Sequence, residues 1–300
     1  MMTPTLKLNE RQSKYTQTMK SAKQQARTIM TIQIKATMQK KATMTMPIKA
    51  ITFDLDDTLW PLKPTLMHAE HETYEWLKIN AKSLTNQFSL AALSEFRFTL
   101  FKNDIRFKNQ ISQVRKETIK AFALRSNYSE KEAIELAEQA FNVHYKLRQK
   151  VNCYEGVEEL LSLLSKNHLL GTISNGNADV KQTCIGHHFS FALSAEHINA
   201  SKPDGLIFDT ALSRIESLMG QALDPSEVAH VGDDFLCDIV GAKRAKFKAI
   251  WLDGHEHKHN CIKKHEYQKG KDEDQSEGIV ADAIISHIKD LPTALTSLKS

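Results

Sequence analysis

Three hundred residues, 41% hydrophobic and 25% charged with a net charge of +4, describe a globular chain with room for one large or two smaller domains. No run of about 18 apolar residues occurs, which argues against a transmembrane helix. Cys153, Cys184, Cys237 and Cys261 are widely spaced and form no CxxC pair, so a disulfide scaffold is not expected and the reducing cytoplasm is the expected setting.

The charge is unevenly placed. Residues 1–46 hold nine Lys and Arg against Glu10 alone, a net of +8, which leaves −4 on the rest of the chain. The body is therefore mildly acidic and lacks the basic stripe of a nucleic-acid binder. The basic head shows neither a helical nor an alternating apolar period and has no apolar core of a secretory signal. It reads as a disordered extension outside the fold, with Met44 or Met46 a natural start. A basic arm for nucleic acid or membrane and an organelle-targeting peptide are the competing readings.

Ala50-Ile51-Thr52-Phe53 is a short apolar run that breaks into Asp54-Leu55-Asp56-Asp57-Thr58, as a buried parallel strand does. Residues 65–80, 89–106, 110–125 and 129–150 then read as helices, and Ser129 with Glu132 signals a capping box. From residue 151 helices and strands alternate. Helices are expected over 155–166, 205–218 and 235–245, and strands over 168–173, 227–231 and 248–252. A short strand and a closing helix are expected over 282–298. Such alternation implies a parallel sheet covered on both faces. The expected organisation is an α/β core over 47–63 and 151–300, interrupted by a helical cap over 64–150. The tract 253–278 carries His255, His257, His259, Cys261 and His265, which reads as a solvated loop with zinc or nickel binding as the sharper alternative.

Four motifs fall at strand ends or just before helices, the edge where open α/β sheets bind ligands. Asp54 and Asp56 leave the first strand on the same side, because strand side chains alternate. One can attack phosphorus and bind a hard cation; the other can move a proton. Ser174-Asn175-Gly176 offers a hydroxyl and backbone N–H groups to phosphate oxygens. Lys202, restricted to an extended backbone by Pro203, offers a fixed ammonium. Gly232-Asp233-Asp234 and Asp238 bring carboxylates together, and a magnesium ion suits such oxygen ligands. Taken singly, each motif has an ordinary explanation as a turn or a helix start.

In this order the motifs resemble the haloacid dehalogenase superfamily, whose series is DxDxT, a Ser or Thr, a Lys, then GD with a further Asp. The resemblance covers about residues 48–253 and implies a Rossmann-like core with a mobile helical cap. It is closer to bacterial flavin-pathway phosphatases, acting on FMN and 5-amino-6-(5-phospho-D-ribitylamino)uracil, in the stretches Phe53–Leu59, Ser174–Ala178, Ser201–Pro203 and His230–Asp234, with Gly241, Ala242 and Trp251. It implies that Asp54 is a nucleophile forming an aspartyl-phosphate and Asp56 the acid and base. Asp54, the Asp56 carbonyl and Asp233 would hold Mg²⁺, while Ser174, Asn175 and Lys202 bind the phosphoryl oxygens. Asp234 and Asp238 would orient the metal's surroundings. Trp60, Arg106, Phe107, Arg115 and Arg148 are the candidates for substrate recognition, an aromatic ring stacking on an isoalloxazine or pyrimidine. A sugar or nucleoside monophosphate phosphatase, a non-catalytic phosphate-binding module and a nucleic-acid binder driven by the basic head are the alternatives. Monomer and homodimer stay open.

Overall fold

The computed structural model describes residues 48–254 and 278–298; the basic head and the histidine-rich tract lie outside them. Six strands form one parallel sheet in the order β3-β2-β1-β4-β5-β6. They are β1 (Ala50–Phe53), β2 (Leu169–Ser174), β3 (Phe191–Ser194), β4 (Val228–Gly232), β5 (Lys248–Leu252) and β6 (Ala283–Ile285). Strand β1 is central, pairing Phe53 with Thr172 of β2 on one side and with Val231 of β4 on the other. All four β1 residues are buried, as expected of a strand covered on both faces. The chain runs outward from β1 in both directions, so a crevice opens at the carboxyl ends of β1, β2 and β4.

Between β1 and β2 the chain leaves the sheet and builds a helical layer. Its long helices are α1 (Leu62–Asn80), α2 (Leu90–Asn103), α3 (Ile111–Arg125) and α4 (Glu130–Arg148). The expected capping box is present: Ser129 Oγ accepts from Glu132 N, and the Glu132 carboxylate accepts from Ser129 N. Phe122 sits at the centre of this layer, edge-on to Phe88 at 4.7 Å and to Phe96 at 5.3 Å. With Leu77, Leu84 and Leu93 they form a core separate from that of the sheet. The layer thus has its own apolar cohesion.

Helices α5 (Val157–Leu164), α6 (Gly205–Met219) and α7 (Leu291–Ser297) belong to the sheet domain. Within α5 the buried face is Val157, Leu160, Leu161 and Leu164. Strand β3 has no counterpart among the sequence expectations. It is four residues long at the sheet edge and only Phe191 is buried, so it carries little periodic signal. The helix expected over 235–245 is a π-helical stretch, Phe235–Val240, followed by a short α-helical turn, Gly241–Arg244. Among the described residues no helix is long and apolar enough to cross a membrane.

The helical layer also buries cations. Arg115 pairs with Glu70 at 3.1 Å, and burial, with Arg97 adding to it, pulls its guanidinium down to about 10. His144 lies 3% exposed beside these arginines, and burial first, then Arg115, pushes it down to about 2. The imidazole is therefore neutral in the fold and protonated below its ordinary value of about 6.5 in the unfolded chain. The unfolded state then binds the extra proton, so this contribution to stability is whole above pH ~6.5 and is lost as pH falls below it. We expect acidification from pH 7.5 to pH 5 to remove about 2 kcal/mol through this residue. Urea midpoints of wild type and His144→Leu across that range check it, the variant showing the shallower dependence.

Candidate active site

Three strand ends supply the crevice. Asp54 follows β1 directly, Ser174 ends β2, and Asp233 follows Gly232 at the end of β4. The segment after β1 turns back at once. Asp57 adopts φ 62° and its backbone N–H donates to the Trp60 carbonyl, while its carboxylate accepts from Leu62 N and so holds the start of α1. This tight return keeps Asp54 and Asp56 at the mouth of the crevice.

Lys202 lies at the centre. Its ammonium donates to Asp54 Oδ1 and to Asp238 Oδ1, both at 2.6 Å, and the residue is 3% exposed. The Lys202–Pro203 peptide is cis. Asn175 clamps the Lys202 backbone from both sides: its Oδ1 accepts from Lys202 N at 2.8 Å and its Nδ2 donates to Lys202 O at 3.0 Å. Asp238 is saturated, because its Oδ1 also accepts from His230 Nε2 at 3.2 Å and its Oδ2 accepts from Asp234 N at 2.9 Å. A Cβ on Gly232 would lie 2.2 Å from the Asp238 carboxyl, so the close turn demands glycine.

Burial and charge pull these groups apart. Burial raises the Asp54 carboxyl to about 7, against the pull of the Lys202 ammonium. Burial acts on Asp238 in the same direction, but Lys202 and His230 hold it well below the usual carboxylate range. Burial works to lower Lys202, and Asp238 and Asp54 together keep it above an ordinary lysine. His230 is pushed down by burial and is neutral. With its Nε2–H donated to Asp238, Nδ1 accepts from Thr52 Oγ1 at 2.9 Å.

Asp56 faces a different cation. Arg148, the last residue of α4, donates from Nη2 to Asp56 Oδ1 at 2.6 Å and to Oδ2 at 2.5 Å. Trp60 Nε1 adds a bond to Oδ1 at 2.9 Å. Ser174 Oγ accepts from Gly176 N at 3.0 Å, which leaves its own proton to donate. A Cβ on Gly176 would sit 2.6 Å from Asp56 Oδ2.

The residues fit a hard divalent cation. Carboxylate oxygens of Asp54, Asp233 and Asp238 lie within 4.8 Å of one another. Four carboxyl groups, counting Asp56, face two cationic side chains, Lys202 and Arg148. Asp238 already takes three donors, against two on Asp54, so Asp54 and Asp233 are the better-placed ligands. The Thr58 hydroxyl lies between them, 3.3 Å from Asp54 Oδ2 and 3.2 Å from Asp233 Oδ1. Trp251 Nε1 steadies the Asp233 carbonyl at 3.0 Å. An all-oxygen set suits Mg²⁺.

The structure brings Asp54, Asp56, Ser174, Asn175, Lys202 and Asp233 to one crevice. It corrects the recognition candidates. Trp60 is 0% exposed with its N–H spent on Asp56, so it positions that carboxylate and has no face free for a ligand. Arg106 has an exposed side chain paired to Asp104, and Arg115 is bound by Glu70 inside the helical layer. Phe107 is buried. Of that group only Trp60 and Arg148 reach the site, both through Asp56. Thr58 and His230 also join the site, and a histidine inside a fully buried strand beside Gly-Asp is the sequence signal for the second.

A family model for haloacid dehalogenase-like hydrolases matches residues 48–246. The 5-amino-6-(5-phospho-D-ribitylamino)uracil phosphatase YigB of Escherichia coli is 28% identical over 68% of this chain and 83% of its own length. The glyceraldehyde 3-phosphate phosphatase of Methanothermobacter thermautotrophicus is 26% identical over 68% of this chain and 84% of its own. The crystal structure of a 2-haloacid dehalogenase from Pseudomonas syringae is 34% identical, covers 83% of this chain and 98% of that one, and superposes with a TM-score of 0.69.

Lys202→Met would strand two buried carboxylates. We expect it to lower stability in EDTA by about 3–5 kcal/mol, the cost of breaking a buried pair from one side. The shift of the urea midpoint against wild type measures it.

Proposed function

The chain belongs to the haloacid dehalogenase-like hydrolases and is a phosphatase; on that premise we propose that it cleaves a small-metabolite phosphate monoester with Mg²⁺ through an aspartyl-phosphate on Asp54. The observation that carries this reading is the paired placement of Asp54 and Asp56 at one crevice with different partners, Lys202 for the first and Arg148 for the second. The Lys202 ammonium favours the ionised Asp54, the form that attacks, against the burial that raises its carboxyl to about 7. An Asp at the second position supplies the acid that a phosphate ester needs and a haloacid does not.

In the first half-reaction an Asp54 oxygen bonds to phosphorus as the bond from phosphorus to the leaving oxygen breaks, and Asp56 gives its proton to that oxygen. In the second, Asp56 takes a proton from water, the water oxygen bonds to phosphorus, and the Asp54–phosphorus link breaks to release inorganic phosphate. The Ser174 hydroxyl, the Asn175 N–H and the Lys202 ammonium hold the equatorial oxygens, where preset donors act on developing charge. Mg²⁺, held by Asp54, Asp233 and the Asp56 carbonyl, would supply Lewis-acid polarisation of the phosphoryl group.

Arg148 gives the helical layer a part in this. It holds both Asp56 oxygens, so any shift of Arg148 changes the bonds of the group that carries the proton. Because Arg148 closes α4, movement of the layer acts directly on the acid. We read α1–α4 as a cap over the site. Gln110 and Ser112 of its rim bond to Asn199 and Glu196 of the sheet domain, and Asn177 bonds to Ser112 Oγ.

The substrate proposed is 5-amino-6-(5-phospho-D-ribitylamino)uracil or FMN, on the likeness to the Escherichia coli enzyme. Turnover with Mg²⁺ on these two, on nucleoside and sugar monophosphates and on a 2-haloacid tests it. We expect phosphate release, strongest on a flavin-pathway ester, and no halide release. Asp54→Asn should abolish turnover and phosphoenzyme, and equal activity in wild type and this variant would remove the proposed nucleophile. Asp56→Asn should slow turnover by about 10²–10⁴-fold. Arg148→Met should lower kcat by about tenfold or more with little change in KM, since the acid it positions acts only in the transition state.

A further inference from the structure

Outside the acidic crevice, a second set of ligating side chains comes together on the sheet domain. Glu158 lies in the first turn of α5, while His187 and His188 lie in the short turn Gly186–His188 between β2 and β3. Glu158 Oε1 is 3.1 Å from His188 Nε2 and 3.5 Å from His187 Nε2. All three ligand atoms fall within 4.8 Å of one another.

With both imidazoles neutral, hydrogen bonding leaves this arrangement incomplete. The His187 Nδ1 lies 3.1 Å from the Cys184 carbonyl, which can only accept, so Nδ1 carries the proton. In the neutral ring Nε2 then presents a lone pair, and it is aimed at a carboxylate oxygen. His188 can donate one proton to that oxygen, but the second ring brings lone pair against lone pair. Either a proton on His187 Nε2 or a metal cation between the three atoms resolves this. The spacing agrees with a metal cation, since two N or O ligands about 2.1 Å from one tetrahedral ion stand about 3.4 Å apart. The two Glu158 distances lie on either side of that value.

The backbone that carries the histidines is firmly placed. Ile185 and Phe189, on either side, are 0% and 3% exposed, and Phe189 packs edge-on against Phe53 of β1. A Cβ on Gly186 would meet the Val180 carbonyl oxygen at 2.3 Å, so the turn sits tightly on the segment before it. The Cys184 carbonyl orients the His187 ring, as second partners do for metal-ligating histidines. Side-chain exposure of 63% at His187 and 50% at Glu158 leaves an entry path and room for water to complete the shell.

We propose that Glu158, His187 and His188 form a binding site for a divalent transition cation of the zinc class, separate from the magnesium crevice. Two imidazoles and one carboxylate favour Zn²⁺, Ni²⁺ or Cu²⁺ over Mg²⁺. The ion links the turn before β3 to the start of α5.

The test is Zn²⁺ binding to the full chain after EDTA treatment, in excess Mg²⁺, with a competing chromophoric chelator. Wild type is compared with His187→Ala, His188→Ala, Glu158→Gln and, as a control, His197→Ala. The first three should each bind one equivalent of Zn²⁺ fewer, or bind it at least tenfold more weakly, while His197→Ala matches wild type. Any contribution of the histidine tract at 255–265 is common to all five proteins and drops out of the comparison. His187 is exposed, so its replacement spares the packing, and far-UV circular dichroism with Mg²⁺-dependent turnover checks the fold of each variant. Unchanged stoichiometry and affinity in His187→Ala and Glu158→Gln would overturn the site, as would failure of wild type to bind Zn²⁺ in the presence of Mg²⁺.

Discussion

The Lys202 ammonium, buried between Asp54 and Asp238, is the interaction on which the rest of the site depends. A buried charge is tolerated only with partners and satisfied hydrogen bonds. Here the partners come from two places, the end of β1 and the π-helical turn after β4, and they meet an ammonium carried on the loop before α6. Around them Asn175 pins the lysine backbone, while His230 and the Asp234 N–H complete Asp238. Each carboxylate is thereby assigned a task. In the proposed reaction Asp238 holds the ammonium, while Asp54 and Asp233 face a cation and a phosphoryl group.

The helical layer meets this centre through polar contacts. Arg148 reaches Asp56, Gln110 reaches Asn199, and Ser112 reaches Glu196 and Asn177. The apolar cohesion is on either side of the seam, around Phe122 in the layer and around Phe208 in the sheet domain. A hydrogen bond exchanged with water changes stability by only about 0.5–1.5 kcal/mol. A seam of this kind opens at lower cost than either core comes apart. On the proposed reading the layer moves as a body, and Arg148 carries that movement to Asp56.

Long or strongly patterned elements were visible in the sequence. The capping box at Ser129 and Glu132 marks α4, and the apolar run 50–53 ahead of paired acids marks β1. Strand β3 was not visible, because four residues with one buried side chain make no pattern. The π-helical turn at 235–240 was not visible either. Its residues read as ordinary helix, and what widens the turn is the demand that Asp238 fold back beneath Gly232 toward Lys202.

By itself the sequence determined the parallel α/β core, the helical interruption and the order of the reactive groups, because burial patterning and strand-end motifs are local properties of the chain. Partner choice was decided only by the tertiary structure. The sequence offered Trp60, Arg106, Arg115 and Arg148 as equivalent recognition residues, yet one is buried against Asp56, one pairs with Asp104, one is taken by Glu70, and one grips the acid. His187 and His188 drew no attention beside the richer histidine tract, since Glu158 stands about thirty residues away in the chain and reaches them only when α5 packs beside the turn before β3. Charges separated along the chain become partners, or fail to, through packing alone, and no local pattern records which cation a given carboxylate will meet.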